Sequence, residues 1–130
     1  MRYLLLPAFA AAMLLAAPAA SAVEGGQLVA QCKSLLRSAK ARGKALEFRQ
    51  EPDTVGCFAF MSAVQDLAAV ADREGEPPLL GACLPPEGTL LQLVQAVVTY
   101  GGAHPASLRE SAGVLALLAL RDAYPCSKKS

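Results

Sequence analysis

The chain has 130 residues, 54% of them hydrophobic and 18% charged, with twelve basic side chains against eleven acidic ones. That length suits one domain and not two. A balance this close to neutral argues against nucleic acid or anionic lipid as a partner, because both call for a net basic surface.

Residues 1–22 read as a secretory signal peptide. Met1-Arg2 supplies the positive end, Leu4 to Leu15 is almost wholly apolar, and Ala20-Ser21-Ala22 is a small-residue cleavage site. A membrane anchor is the weaker reading, since the apolar run of about 17 residues is broken by Pro7 and Pro18. No lipobox-like cysteine stands at the cleavage point. The run Ala112 to Leu120, about nine residues, is too short to span a bilayer. The expectation is a soluble exported product, residues 23–130, with no membrane association after cleavage. Loss of Arg2 leaves it formally neutral.

From about Gln27 to Ala41, Leu28, Val29, Cys32, Leu35, Leu36 and Ala39 recur at helical spacing, with Lys33, Arg37 and Lys40 opposite. This is an amphipathic helix with Cys32 on its buried stripe, and Gly43 is a plausible terminator. Residues 44–53 read as a solvated connection. Thr54 or Asp53 is placed to cap a second helix over about Val55 to Asp72. Its apolar residues, Cys57, Phe60, Met61, Val64, Leu67, Ala68 and Ala71, with Phe58 and Val70 behind, make it the expected central helix. Glu74-Gly75-Glu76-Pro77-Pro78 breaks it, and Pro85-Pro86-Glu87-Gly88 punctuates again.

Thr89-Leu90-Leu91-Gln92 fits a capping box that opens a third helix. Leu90, Leu93, Val94 and Val97 form its inward stripe and Gly101-Gly102 its expected end. Ser107-Leu108-Arg109-Glu110 has the same pattern and is expected to open a fourth helix, with Leu108, Ala112, Leu115 and Ala119 inward. Gly113 lies inside that helix at a cost of up to ~1 kcal/mol relative to alanine. Val114, Leu117 and Leu118 extend its apolar surface, as a homodimer interface or a central helix would require. No period-two alternation occurs. The predicted class is all-α: a small disulfide-linked helical domain of about four helices in two hairpins.

Four cysteines allow three pairings. Cys32 and Cys57 are centred near Gly43-Lys44, Cys83 and Cys126 near the Gly101–Pro105 turn, so hairpin geometry favours Cys32–Cys57 with Cys83–Cys126. Loops of those lengths contribute about 3.5 and about 4 kcal/mol by chain entropy, and export supplies the oxidising compartment they need.

Catalytic chemistry is hard to find. The single histidine, His104, sits before Pro105 as a turn residue, and the cysteine spacings match no zinc pattern. With four paired cysteines there is no thiol nucleophile. Asp66 is a candidate buried acid on the second helix, with a solvent-facing or hydrogen-bonded residue as its bland reading. No enzyme activity, cofactor or metal is expected, which leaves action by contact. The segment Glu74, Gly75, Glu76, Pro77, Pro78 is the candidate partner-binding loop, because prolines reduce the freedom lost when a loop is bound. A plain connector is its bland reading.

Cys83-Leu84-Pro85, Gly88-Thr89, Gln92-Leu93-Val94, Val97-Val98, Tyr100, His104-Pro105, Ala119-Leu120 and Ala123-Tyr124-Pro125-Cys126, in that order, resemble the Rap/Tai family. The likeness extends more weakly over Cys32 to Asp66. Where that family usually carries Gly-Tyr after its second cysteine and a further glycine, this chain has Ala59-Phe60 and Ala63, replacements that keep the helix packing. The resemblance implies a small periplasmic immunity protein that neutralises toxins delivered by type VI secretion, among them peptidoglycan amidases. It also implies a disulfide-linked, often dimeric protein that inserts a loop into an amidase cleft. Two other readings stand beside it: a periplasmic helical interaction module of the same fold without a toxin partner, and a small carrier of apolar ligands.

Overall fold

In the computed structural model, residues 22–73, 78, 81–85 and 88–126 are described. Nearly all of the expected signal peptide, and Glu74 to Pro77, lie outside them. Helix α1 spans Gly25–Ser38 and α2 spans Pro52–Arg73, joined through strands β1 (Lys40–Arg42) and β2 (Ala45–Glu47). Helix α3 spans Leu90–Ala103, a 3₁₀ helix covers Pro105–Arg109, and α4 spans Ala112–Ala123. The fold is mostly α, with four α-helices among the described residues.

The core is built around α1, which packs against α2, α3, α4 and the 3₁₀ helix. Its period-3.6 stripe, Leu28, Val29, Cys32 and Leu35, is buried against Met61 of α2, Leu93, Val94 and Val97 of α3, and Leu115 and Leu120 of α4. Close approach of α1 and α3 depends on Gly101: a Cβ there would lie 2.6 Å from Val29 Cγ2. Two disulfides, Cys32–Cys57 and Cys83–Cys126, tie the hairpins at Cα separations of 5.0 and 4.9 Å.

The second helix is not central. Leu67 is 60% exposed, Val70 50% and Val55 42%, and among the described helices α2 packs mainly on α1 and α3. The short α1 takes the middle, and at its start Gly25 and Gly26 let Leu115 of α4 and the 3₁₀ helix approach closely.

Three helix ends also differ from expectation, each for a reason outside its own segment. Helix α2 begins at Pro52, a favourable first helical residue, so Thr54 lies within the first turn and not ahead of it. Its buried hydroxyl accepts from Glu51 N–H at 3.0 Å and donates to the Arg49 carbonyl, joining the incoming strand to the helix. Helix α3 runs through both glycines to Ala103, since Gly101 serves packing and not termination. Ser107 does not cap α4: it sits in the 3₁₀ helix and donates to the His104 carbonyl at 2.6 Å. The chain at 110–112 pairs with 23–25 through Gly25 N–H to Glu110 O (2.7 Å) and Ala112 N–H to Val23 O (2.8 Å). That extended pairing interrupts the helix, and Ser111 caps its resumption by accepting from Val114 N–H at 3.4 Å. The capping box at Thr89 forms as expected, with Thr89 N–H donating to Gln92 Oε1 at 2.9 Å.

The connection after α1 is not simply solvated chain. Lys40↔Glu47, Ala41↔Leu46 and Arg42↔Ala45 pair antiparallel around a two-residue turn with Gly43 at φ 60°. Only glycine holds that left-handed conformation without steric cost.

Candidate protein-contact surfaces

Of the expected loop Glu74, Gly75, Glu76, Pro77 and Pro78, only Pro78 is among the described residues, and it is exposed. The loop begins where α2 ends at Arg73. It is followed by Gly81–Pro85, whose backbone is fastened to residues 124–126. Cys83 N–H donates to Tyr124 O at 2.8 Å and Cys126 N–H to Gly81 O at 3.1 Å, on either side of the Ala82–Pro125 bridge. The Cys83–Cys126 disulfide closes that same pairing, so the C-terminal side of the loop is anchored by covalent and hydrogen bonds together.

The sequence does not single out a second surface that the fold assembles between α3 and α4. It is an open cleft of about 340 Å³. Tyr100 and Tyr124 belong to it, Ala96 and Ala119 let its floor approach closely, and Gln95 and Asp122 supply polar edges. Its α3 side is the i, i+3, i+4, i+7 stripe Gln92, Gln95, Ala96, Thr99, the face opposite the buried Leu93–Val97 stripe. That period was the signal that could have found it. His104 stacks on the Tyr100 ring at 4.0 Å between centroids, with its Nδ1 3.0 Å from the Tyr100 carbonyl oxygen. His104 is thus a structural partner of Tyr100. Tyrosine rings over an alanine floor, edged by amides and one carboxylate, suit stacking and hydrogen bonding with a partner. Asp66 is exposed on α2.

No group of three or more His, Cys, Asp or Glu side chains converges among the described residues. Both disulfides are intact, leaving no free cysteine among those residues. Helix α2 passes a length-and-composition test for crossing a membrane, with mean hydropathy 1.5 over Pro52–Ala71. Its Cys57, however, is bonded to Cys32 in the core, which makes it a wall of this domain.

A family model described as Rap1a immunity proteins matches residues 24–126, nearly the whole described domain and all four cysteines. Comparison with curated proteins and with solved structures finds no match.

Proposed function

Because the chain belongs to the Rap1a immunity proteins, and membership implies an immunity protein directed against a protein toxin, we propose that its target is a peptidoglycan amidase delivered by type VI secretion. The chain acts in the periplasm after removal of residues 1–22. It blocks the amidase by occlusion: the Glu74–Pro78 loop enters the catalytic cleft and excludes substrate, with no chemistry by the inhibitor. The observation that carries this reading is the match over residues 24–126, which takes in the loop and both disulfides. Two features support the mechanism. Pro77-Pro78 limits the conformations the loop loses on binding, and the segment after it is held by the Cys83–Cys126 bridge. The protein acts as a homodimer. Exposed apolar side chains Val55, Leu67 and Val70 lie on α2, and of the three α4 residues Val114 is 44% exposed, whereas Leu117 and Leu118 are half-buried within the domain.

The test is an affinity pull-down of the mature chain against secreted effectors, with peptidoglycan hydrolysis as the readout. The wild type is expected to retain an amidase and silence it. The variant Glu74→Ala/Glu76→Ala/Pro77→Gly is expected to lose silencing while keeping its helical content. A variant that silences as well as wild type assigns inhibition to another surface. Failure of the wild type to retain or silence any hydrolase removes the amidase reading itself.

A further inference from the structure

The near-neutral total conceals a segregation of charge. Between residues 33 and 49 there are six basic side chains and one acidic one; between 50 and 126 there are nine acidic and three basic. At physiological salt, exposed charges act over about 8 Å, so what a surface meets is the local balance and not the total.

The fold gathers the basic segment into one continuous feature. Lys33 and Arg37 are exposed one turn apart on α1, which runs directly into the β1–β2 hairpin carrying Lys40, Arg42 and Lys44. By helix and strand rise the feature is roughly 25 Å long. Its base is fixed: Arg49 N–H donates to Ser38 Oγ at 3.4 Å, and Phe48 packs on Phe58 with ring centroids 5.0 Å apart. Two of the three nearby acids are already engaged, Glu47 by Arg42 and Glu51 by Arg49, each at 3.3 Å. The third, Asp53, lies in the first turn of α2, where a helix N-terminus favours negative charge. Lys33, Arg37, Lys40 and Lys44 form no ion pair with any described residue.

We propose that the C-terminal end of α1 and the β1–β2 hairpin form a basic ridge that docks the domain peripherally on an anionic phospholipid surface. The choice of lipid over an acidic protein follows from the make-up of the ridge. Tight protein contacts centre on buried aromatic or arginine anchors in fitted pockets, and this ridge exposes no aromatic side chain. Three of its four free cations are lysines, strongly hydrated point charges on flexible stems, dispersed along the ridge. That arrangement matches a diffuse, laterally mobile sheet of headgroups better than a shaped pocket. Each such cation near an anionic bilayer strengthens binding about fivefold. The inference is independent of the toxin reading, since it concerns where the domain resides and not what it silences.

The experiment is flotation of the mature chain with vesicles of phosphatidylcholine alone or mixed with phosphatidylglycerol, at about 0.05 M and about 0.5 M salt. Binding is expected only to the phosphatidylglycerol vesicles at low salt, and to fall at least tenfold in Lys33→Glu/Lys40→Glu/Lys44→Glu. Arg109→Glu, outside the ridge on the 3₁₀ helix, should lose far less, and circular dichroism confirms that both variants are folded. Three results overturn the proposal: no flotation with anionic vesicles, equal flotation of wild type and the triple variant, or binding that salt does not weaken, which would assign it to the apolar α2 face. Retention on soluble polyglutamate without vesicle binding would also overturn it, in favour of an acidic protein surface.

Discussion

Gly101 and Gly113 are both helical glycines, yet their surroundings set opposite outcomes. A methyl group on Gly101 would be driven into Val29, with Leu108 Cδ2 a further 3.3 Å neighbour, whereas nothing lies within 4 Å of the same atom on Gly113. Gly101→Ala is expected to cost about 1–3 kcal/mol by overpacking the α1–α3 contact. Gly113→Ala is expected to stabilise by up to ~1 kcal/mol through helix propensity. Urea denaturation of the two variants checks both signs, and a Gly101→Ala protein as stable as wild type would remove Gly101 from the packing argument. Thr54→Val is a third test at this scale, since Thr54 is 1% exposed and its hydroxyl bridges the Arg49 and Glu51 backbone groups. Glu51 N–H keeps its 3.0 Å bond to the Arg49 carbonyl in the variant, so the loss is that of the hydroxyl's own bonds and is expected to cost about 0.5–1.5 kcal/mol. Such residues also show what local sequence can carry. Thr89 caps α3 because both halves of its box lie within four residues. Ser107 has the same pattern and fails, because the backbone partners of Glu110 and Ala112 come from residues 23–25, some 85 positions earlier.

At the scale of elements, the two sulfur bridges differ in access. Cys32 and Cys57 are wholly buried between α1 and α2, while Cys83 is exposed and Cys126 half-buried at the edge of a short backbone pairing. Thiol–disulfide exchange needs an attacking thiolate to reach sulfur. A mild thiol under native conditions, followed by alkylation and peptide mapping, is therefore expected to label Cys83 and Cys126 first. Labelling of Cys32 and Cys57 should await global unfolding; simultaneous labelling of all four would show that the core opens as readily as the rim. Helices and cysteine pairing were legible because apolar period and hairpin arithmetic are properties of contiguous sequence. The β1–β2 hairpin was not. Its three-residue strands hold lysine, arginine, alanine, leucine and glutamate, residues with little strand preference. Its register rests instead on Gly43 and on anchoring through Ser38 and Phe58. The burial of α2 was overestimated for a related reason: an all-round apolar helix looks central in one dimension, whether its outer face meets its own domain or a second molecule.

For the whole molecule, that outer face is where the proposed homodimer would form. Val55, Leu67 and Val70 are 42, 60 and 50% exposed on one 22-residue helix, with exposed Ala59 and Ala63 between them. The spacing, in steps of three and four, makes one stripe along α2. A stripe of this kind exposed on a monomer invites association, and in a twofold dimer the same residues would serve both subunits. Light scattering coupled to size exclusion is expected to give twice the monomer mass for the mature chain. Leu67→Glu/Val70→Glu should shift it to the monomer with helical content unchanged, because neither side chain belongs to the core. Comparing amidase silencing by that monomer with wild type then separates two designs. If the Glu74–Pro78 loop acts alone, silencing persists on a molar basis; if occlusion needs both subunits across the cleft, it falls together with the dimer. A mature chain that is already monomeric at the concentrations used for silencing would show that α2 has no copy of itself to meet, and would leave its stripe to a different protein.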